Sequence, residues 1–455
     1  MQVTRQIGPW LKGLAQDEDL ELPQWRRRLA MLIGALLVGL VALLFARAGD
    51  LAQDAFSRMT GANPFLPLLV TPLIFAMAAW LTGKIALEAR GSGIPQVIAA
   101  ARNPEGPDEQ RLVGLRAGLA KIMLTVGALF GGASVGREGP TVQLGAAIMV
   151  ASHKLLRVRV TPGVLIAGGA AGVAAAFNTP LAGIAFAIEE LAVAYQQRVA
   201  VLAMGAVMIA GLTSQGIAGN YIYFGQVGAH LPLITVLWAA PLLGIAGGVA
   251  GGLFSRLFLA LRGPGGRWTA RLRARPVLTS TLCGVVVAVI GVATGGATWG
   301  TGYEPTREML AGMGGEAWFG PAKLIATLAT SASAIPGGIF APSLAVGAGL
   351  GELMTPLFAP EEAGAIVLLG MVGYFVGVVR APLTAVIILA ETTSSTGMIL
   401  PLFATALIAD WAGAKVCKQR LYHTLAKGFM PQPVADQSPP EPPAPEEQKP
   451  HPAGK

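Results

Sequence analysis

Polar and apolar positions along this chain fall into long blocks. Stretches free of Lys, Arg, Asp and Glu run over Leu29–Ala46, Met59–Gly83, Thr161–Ile188, Val199–Ser255, Pro276–Tyr303, Leu324–Gly351 and Ala381–Ala390. A membrane helix needs about 20 apolar residues. Some blocks are shorter than that; others are too long for one crossing and are cut by glycine or proline. The pattern predicts roughly ten or more helical segments, several of half length. Charge gathers at the block ends. Arg26, Arg27 and Arg28 precede the first block. Arg256, Arg262, Arg267, Arg271, Arg273 and Arg275 crowd one acid-free segment, and Lys415, Lys418, Arg420 and Lys427 follow the last. By the positive-inside rule all three places face the cytoplasm, which puts both termini there.

Composition sharpens this reading. Of 455 residues, 53% are apolar and only 13% charged, against about 25% charged in a soluble domain. That excludes an ordinary cytosolic enzyme and a disordered chain. Yet 60 residues are glycine and 32 proline. Broken backbone at membrane depth is tolerated only where protein buries it or it lines a cavity. The net charge of +8 sits beside the apolar blocks, so it argues for membrane orientation and not for nucleic acid. Cys283 and Cys417 give no disulfide framework or metal spacing. His153, His230, His423 and His451 form no motif at ligand spacing, and no metal or cofactor is expected. Residues 1–28 read as a polar cytoplasmic segment and not a cleaved signal. Residues 29–428 form the membrane domain. Residues 429–455 form a disordered cytoplasmic tail, with nine prolines between 431 and 455.

The chain also repeats itself. At a constant offset of 202, Gly118-Leu-Ala-Lys121 meets Gly320-Pro-Ala-Lys323, and Pro140 meets Pro342. Gly145-Ala146 meets Gly347-Ala348, Gly168 meets Gly370, Pro180-Leu181 meets Pro382-Leu383, and Glu189 meets Glu391. The span from Ile33 has its basic cluster on the N-terminal side. Its counterpart near Thr235–Phe254 has its cluster on the C-terminal side. The halves, about 29–220 and 231–428, therefore cross in opposite directions. Inverted repeats mark transporters, with a substrate site near the midplane between the halves.

Three segments share a design: Gly91-Ser92-Gly93-Ile94-Pro95, Gly136-Arg137-Glu138-Gly139-Pro140 and Gly337-Gly338-Ile339-Phe340-Ala341-Pro342. Each sets glycine before proline at the head of an apolar helix. Proline suits the first helical turn, where its missing N–H is not needed. Glycine lets backbone N–H groups approach a ligand. A helix N-terminus offers unpaired N–H donors and about half a positive charge, so it attracts anions. Kinks for close helix packing would look similar, but two of the three prolines are repeat partners.

These three motifs, in this order, resemble those of the CLC family of chloride channels and proton-coupled chloride transporters. Phe177-Asn-Thr-Pro-Leu-Ala182 and Tyr422 also fit, and the likeness runs over about residues 25–428. The resemblance implies an all-α polytopic membrane protein with the CLC-type inverted-repeat fold and many tilted and partial-span helices. It implies a homodimer with one pathway per subunit in a bacterial inner membrane. Ser92 and Tyr422 would give hydroxyls to a central chloride, and the N–H groups of Ile339 and Phe340 would complete the site. Glu138 matches the gating and proton-transfer glutamate, and Glu190 the internal proton-transfer glutamate. Gln96 stands where relatives often have an acid.

Physical chemistry supports Glu138 independently. A carboxylate inside an apolar span is a functional candidate. Ionised, it can occupy the anion site that the helix starts create; protonated, it can leave and admit chloride. The competing reading is that it merely pairs with Arg137. Glu189 and Glu190 read on their own as an interfacial pair at a helix end, with Glu189, the partner of Glu391, the structural one. The expected function is chloride/proton antiport, with a passive chloride channel as the alternative. A cation-coupled solute transporter would need an acidic substrate pocket that the spans do not offer. An enzyme finds no nucleophile–base pair, metal spacing or Walker loop.

Overall fold

The computed structural model describes residues 22–191, 197–219, 221–228 and 230–430. The expected tail from 431 and the first 21 residues of the N-terminal segment lie outside them. Among the described residues there are nineteen α-helices. In the first half these are α1 (Leu22–Ala62), α2 (Pro67–Ile85), α3 (Ile94–Arg102), α4 (Pro107–Leu112), α5 (Leu115–Phe130), α6 (Glu138–Leu155), α7 (Pro162–Phe177), α8 (Pro180–Phe186) and α9 (Gln197–Ala218). The second half continues with α10 (Leu233–Arg262), α11 (Thr269–Ala274), α12 (Pro276–Ala293), α13 (Tyr303–Leu310) and α14 (Phe319–Ser333). It ends with α15 (Phe340–Glu352), α16 (Ala363–Val379), α17 (Pro382–Thr393), α18 (Ile399–Val416) and α19 (Leu421–Ala426).

Among the described residues, eight helical segments are long and apolar enough to cross a membrane. Others are not. The nine residues of α3 rise only about 14 Å, against a hydrocarbon core of about 30 Å. The three expected breaks all fall where glycine and proline predict, since α3, α6 and α15 start at Ile94, Glu138 and Phe340, with proline in the first turn of each.

The repeat is visible in the packing. In the first half Gly145 on α6 crosses Gly168 on α7 so closely that a Cβ on either would strike the other's backbone. In the second half Gly347 on α15 meets Gly370 and Met371 on α16 in the same way. Small residues let membrane helices approach at backbone distance. Their partners α7 and α16 form the buried centre: every residue of 163–177 and of 365–379 is buried. Glu189 and Glu391 are used reciprocally. Glu189 accepts from the Leu383 and Thr384 N–H groups at the start of α17, at 3.1 and 2.7 Å. Glu391 accepts from Leu181 and Ala182 at the start of α8, at 3.2 and 2.7 Å. Each acid thus satisfies the orphan donors of the other half's helix.

One boundary differs from the sequence pattern. The first span was expected over Leu29–Ala46, after a separate polar segment. The helix instead begins by Leu22 and continues unbroken to Ala62. Two polar side chains of the extension past Ala46 have partners: Asp50 pairs with Arg137 at 2.7 Å, and Gln53 Oε1 accepts from the Thr301 N–H at 3.0 Å.

Candidate functional site

The three glycine-bearing helix starts meet at one point. Gly136 and Gly338 exchange both backbone hydrogen bonds, each at 2.8 Å, in an isolated antiparallel bridge. These two residues are repeat partners at the offset of 202. The pseudo-twofold axis therefore passes between them, and the starts of α6 and α15 face each other across it. The third start is tied in by the Gly337 N–H, which donates to the Gly91 carbonyl at 3.2 Å. Gly139 has to lack a side chain, because a Cβ there would overlap the Ser92 hydroxyl.

At this junction several buried polar groups lie together without a well-formed hydrogen bond. The Ser92 hydroxyl, the Tyr422 hydroxyl and both Glu138 oxygens are buried with no hydrogen bond of good geometry. Tyr422, on α19, is fully buried and its hydroxyl faces Ser92. Ser92, Ile339 and Tyr422 line one cavity, while the buried Phe340 ring packs against Tyr422 with centroids 5.9 Å apart. Buried polar groups are ordinarily paired, so a cluster of unpaired ones marks a place where a polar ligand can bind. Hydroxyl donors beside helix N-termini suit an anion.

Glu138 is the first residue of α6 and is fully buried. Its carboxylate folds back over Gly136, where a Cβ would overlap Oε2, and lies beside Ala341 and Pro342. The N–H groups of Arg137, Glu138 and Ala341 face it. Arg137 does not neutralise it by a direct ion pair. The Arg137 guanidinium is turned to the Ala46 carbonyl at 2.6 Å and to Asp50 at 2.7 Å. The carboxylate thus sits where positive helix ends converge, held by fields and not by a fixed salt bridge.

The cavity opens towards the arginine-rich segment. Arg90, Arg262 and Arg273 line it and no acid does. A cleft lined by one sign of charge concentrates the opposite ion.

Residues 73–414 match the family described as voltage gated chloride channel. The chain belongs to the CLC family. The H(+)/Cl(−) exchange transporter ClcA of Yersinia pestis is 34% identical over 436 residues, covering 88% of this chain and 87% of that protein. The protein of the same name from Vibrio cholerae is 31% identical over 447 residues, covering 90% and 92%. Among solved structures, a slow cyanobacterial Cl−/H+ antiporter matches at TM-score 0.76 and 25% identity over 89% of this chain and 97% of that one. A CLC-type fluoride/proton antiporter matches at TM-score 0.75 and 22% identity over 87% and 96%, a likeness of fold.

This CLC chain also uses residues that local motifs do not reveal. Lys121, fully buried on α5, donates to the Gly91 carbonyl at 2.6 Å and braces the loop that carries Ser92. Gln96 donates through Nε2 to the carbonyls of Glu88 and Arg90, at 3.0 and 2.7 Å. An ionised acid there has no proton to give, so the amide serves as an anchor for the same loop. Glu190 is fully buried near α19, whereas its neighbour Glu189 reaches α17. The signal that could have separated these two acids was the repeat, which marked Glu189 and left Glu190 without a counterpart.

Proposed function

We propose that this multi-pass membrane protein exchanges chloride for protons across a bacterial inner membrane. It works as a homodimer with one pathway per subunit, and both termini face the cytoplasm. The observation that carries the reading is the junction itself: three helix starts, two unpaired hydroxyls and one unpaired buried glutamate converge between the repeats.

Chloride would rest against the Ser92 and Tyr422 hydroxyls and the N–H groups of Ile339 and Phe340. No full positive charge touches it, so binding is strong enough to replace water yet weak enough to release the ion. Ionised Glu138 competes for the same converging N–H groups. On taking a proton it loses that attraction and swings away, and chloride advances into the place it leaves. One side chain then gates the anion and carries the proton. Glu190 would hand protons between Glu138 and the cytoplasmic side. The ClcA relatives, exchangers by name, support this reading over a passive channel.

The test uses purified protein in liposomes. A chloride gradient should drive protons uphill. Chloride flux that merely dissipates the gradient, with no proton movement, would make the protein a channel. Flux that ignores chloride but follows an amino acid or sugar would remove the anion site altogether.

A further inference from the structure

One histidine without any motif has a partner in the fold. Nδ1 of His423 lies 3.2 Å from Oε1 of Glu190. The Glu190 side chain is 0% exposed, while that of His423 is 27% exposed. Among the described residues, no other group of opposite charge lies within ion-pair distance of Glu190, and neither of its oxygens makes a hydrogen bond of good geometry. The buried acid therefore has one ion-pair partner among the described residues, and that partner is partly exposed.

Local structure explains the pairing. After α8 the chain widens into a single π turn over Ala187–Leu191. Such turns shift side-chain register and cluster at functional sites. Here the turn splits two consecutive acids. Glu189 goes to the N–H groups of α17, and Glu190 goes inward to α19. The other charges that act on Glu190 are Arg420, just before α19, and Glu189 itself. Around α19 pack α3, α10, α16 and the turn Lys427–Phe429. The ionisable side chains on these elements are Arg102, Arg256, Arg262, Tyr374 and Lys427. None is a carboxylate, so among the described residues Glu190 is the acid that reaches His423.

We propose that His423 is the proton relay between solvent and Glu190, an inference that rests on the antiport reading. The step is a simple transfer. The imidazolium gives up the proton on the nitrogen facing Glu190. That N–H bond breaks and a carboxyl O–H bond forms, leaving neutral imidazole and a neutral acid. The ring is left with its proton on Nε2 and its free lone pair on buried Nδ1, so it resets by turning over. The N–H goes to the Glu190 side, the freed nitrogen takes a proton from water, and the reverse sequence discharges Glu190. Histidine suits the task because it is the side chain that ordinarily changes charge between pH 5 and 8. It also shares a helix with Tyr422, so the proton relay and a chloride ligand are consecutive residues.

The full-length protein in liposomes provides the test, with proton and chloride fluxes measured in parallel. In His423→Gln and His423→Ala, proton flux should fall by about a hundredfold, the low end of the usual worth of a general acid–base group. Chloride flux should fall far less, so the proton-to-chloride ratio drops. The dependence of proton flux on pH at the cytoplasmic side should flatten. Added imidazole should restore part of the proton flux in His423→Ala. An unchanged ratio and pH profile in both variants would overturn the relay. So would parallel loss of both fluxes without imidazole rescue, since that marks a residue needed only for folding. If the unaltered protein moves chloride without protons, the antiport reading falls and the relay with it. Normal exchange in the unaltered protein with unaffected variants sinks the relay alone.

Discussion

The two halves of the molecule build the same helix starts and finish them differently. In the first half Gly91-Ser92-Gly93 leads into α3. In the second, Gly300-Thr301-Gly302 leads into α13, with all four glycines at positive φ. A buried lysine braces each loop: Lys121 holds the Gly91 carbonyl at 2.6 Å, and Lys323 holds the Gly300 carbonyl at 2.8 Å. The difference lies in what meets the helix start. Ser92 is left without a partner. The Thr301 N–H is taken by Gln53 at 3.0 Å, and the neighbouring Tyr303 hydroxyl donates to the Tyr223 carbonyl at 2.7 Å. Across the axis the contrast recurs, with Glu138 on α6 opposite its repeat partner Phe340 on α15. A duplicated scaffold has thus kept one anion-ready start open and closed the other with its own side chains. A symmetric frame becomes a site with one glutamate and one polarity.

Removing the glutamate tests the contrast most severely. Glu138→Ala should abolish proton movement and leave chloride flux independent of pH, because the proposed gate and the proposed proton carrier are one group. Uphill proton pumping that survives in this variant would remove Glu138 from the mechanism.

A smaller change probes the open start. The repeat partner of Gly139 is Ala341, so this position of the motif accepts a Cβ in the other half. Gly139→Ala should nevertheless cut chloride flux, because the new Cβ overlaps the Ser92 hydroxyl. Displacing a donor from a preorganised anion site costs roughly 3 kcal/mol in comparable oxyanion sites, about a hundredfold. Wild-type flux in Gly139→Ala would mean that Ser92 does not hold the ion.

The closed start should respond in stability instead. Gln53→Ala leaves the Thr301 N–H unpaired, a loss of about 1–3 kcal/mol. Thermal unfolding in detergent should register it while the proton-to-chloride ratio stays put. A changed ratio would show that the second start also belongs to the pathway. Smallest of all, Glu189→Gln and Glu391→Gln should each lower stability by about 1 kcal/mol, the scale of a lost helix cap. Glu189 also accepts from the Thr384 hydroxyl at 2.8 Å, so its loss should be the larger, and no loss in either variant would break the reciprocity of the two caps.

The legible part of this protein was local. Glycine and proline before an apolar run encode a helix start within a few residues, so α3, α6 and α15 could be placed from sequence. The gapless offset exposed the Lys, Pro and Glu pairs for the same reason. The start of α13 escaped because its register is different: Gly91 and Gly300 lie 209 apart, not 202. The extension of α1 escaped because the reasons for Asp50 and Gln53 lie on distant elements. His423 and Glu190 are separated by more than half the chain, and no periodicity links a histidine on a six-residue helix to an acid on a π turn.

The central claim is that the first-half start is the ion site and its second-half counterpart is closed. A crystal grown in bromide measures this directly through anomalous scattering. The account predicts bromide against the Ser92 and Tyr422 hydroxyls, beside the N–H groups of Ile339 and Phe340, and none at Gly300–Gly302. Bromide at Thr301 with none at Ser92 would contradict it.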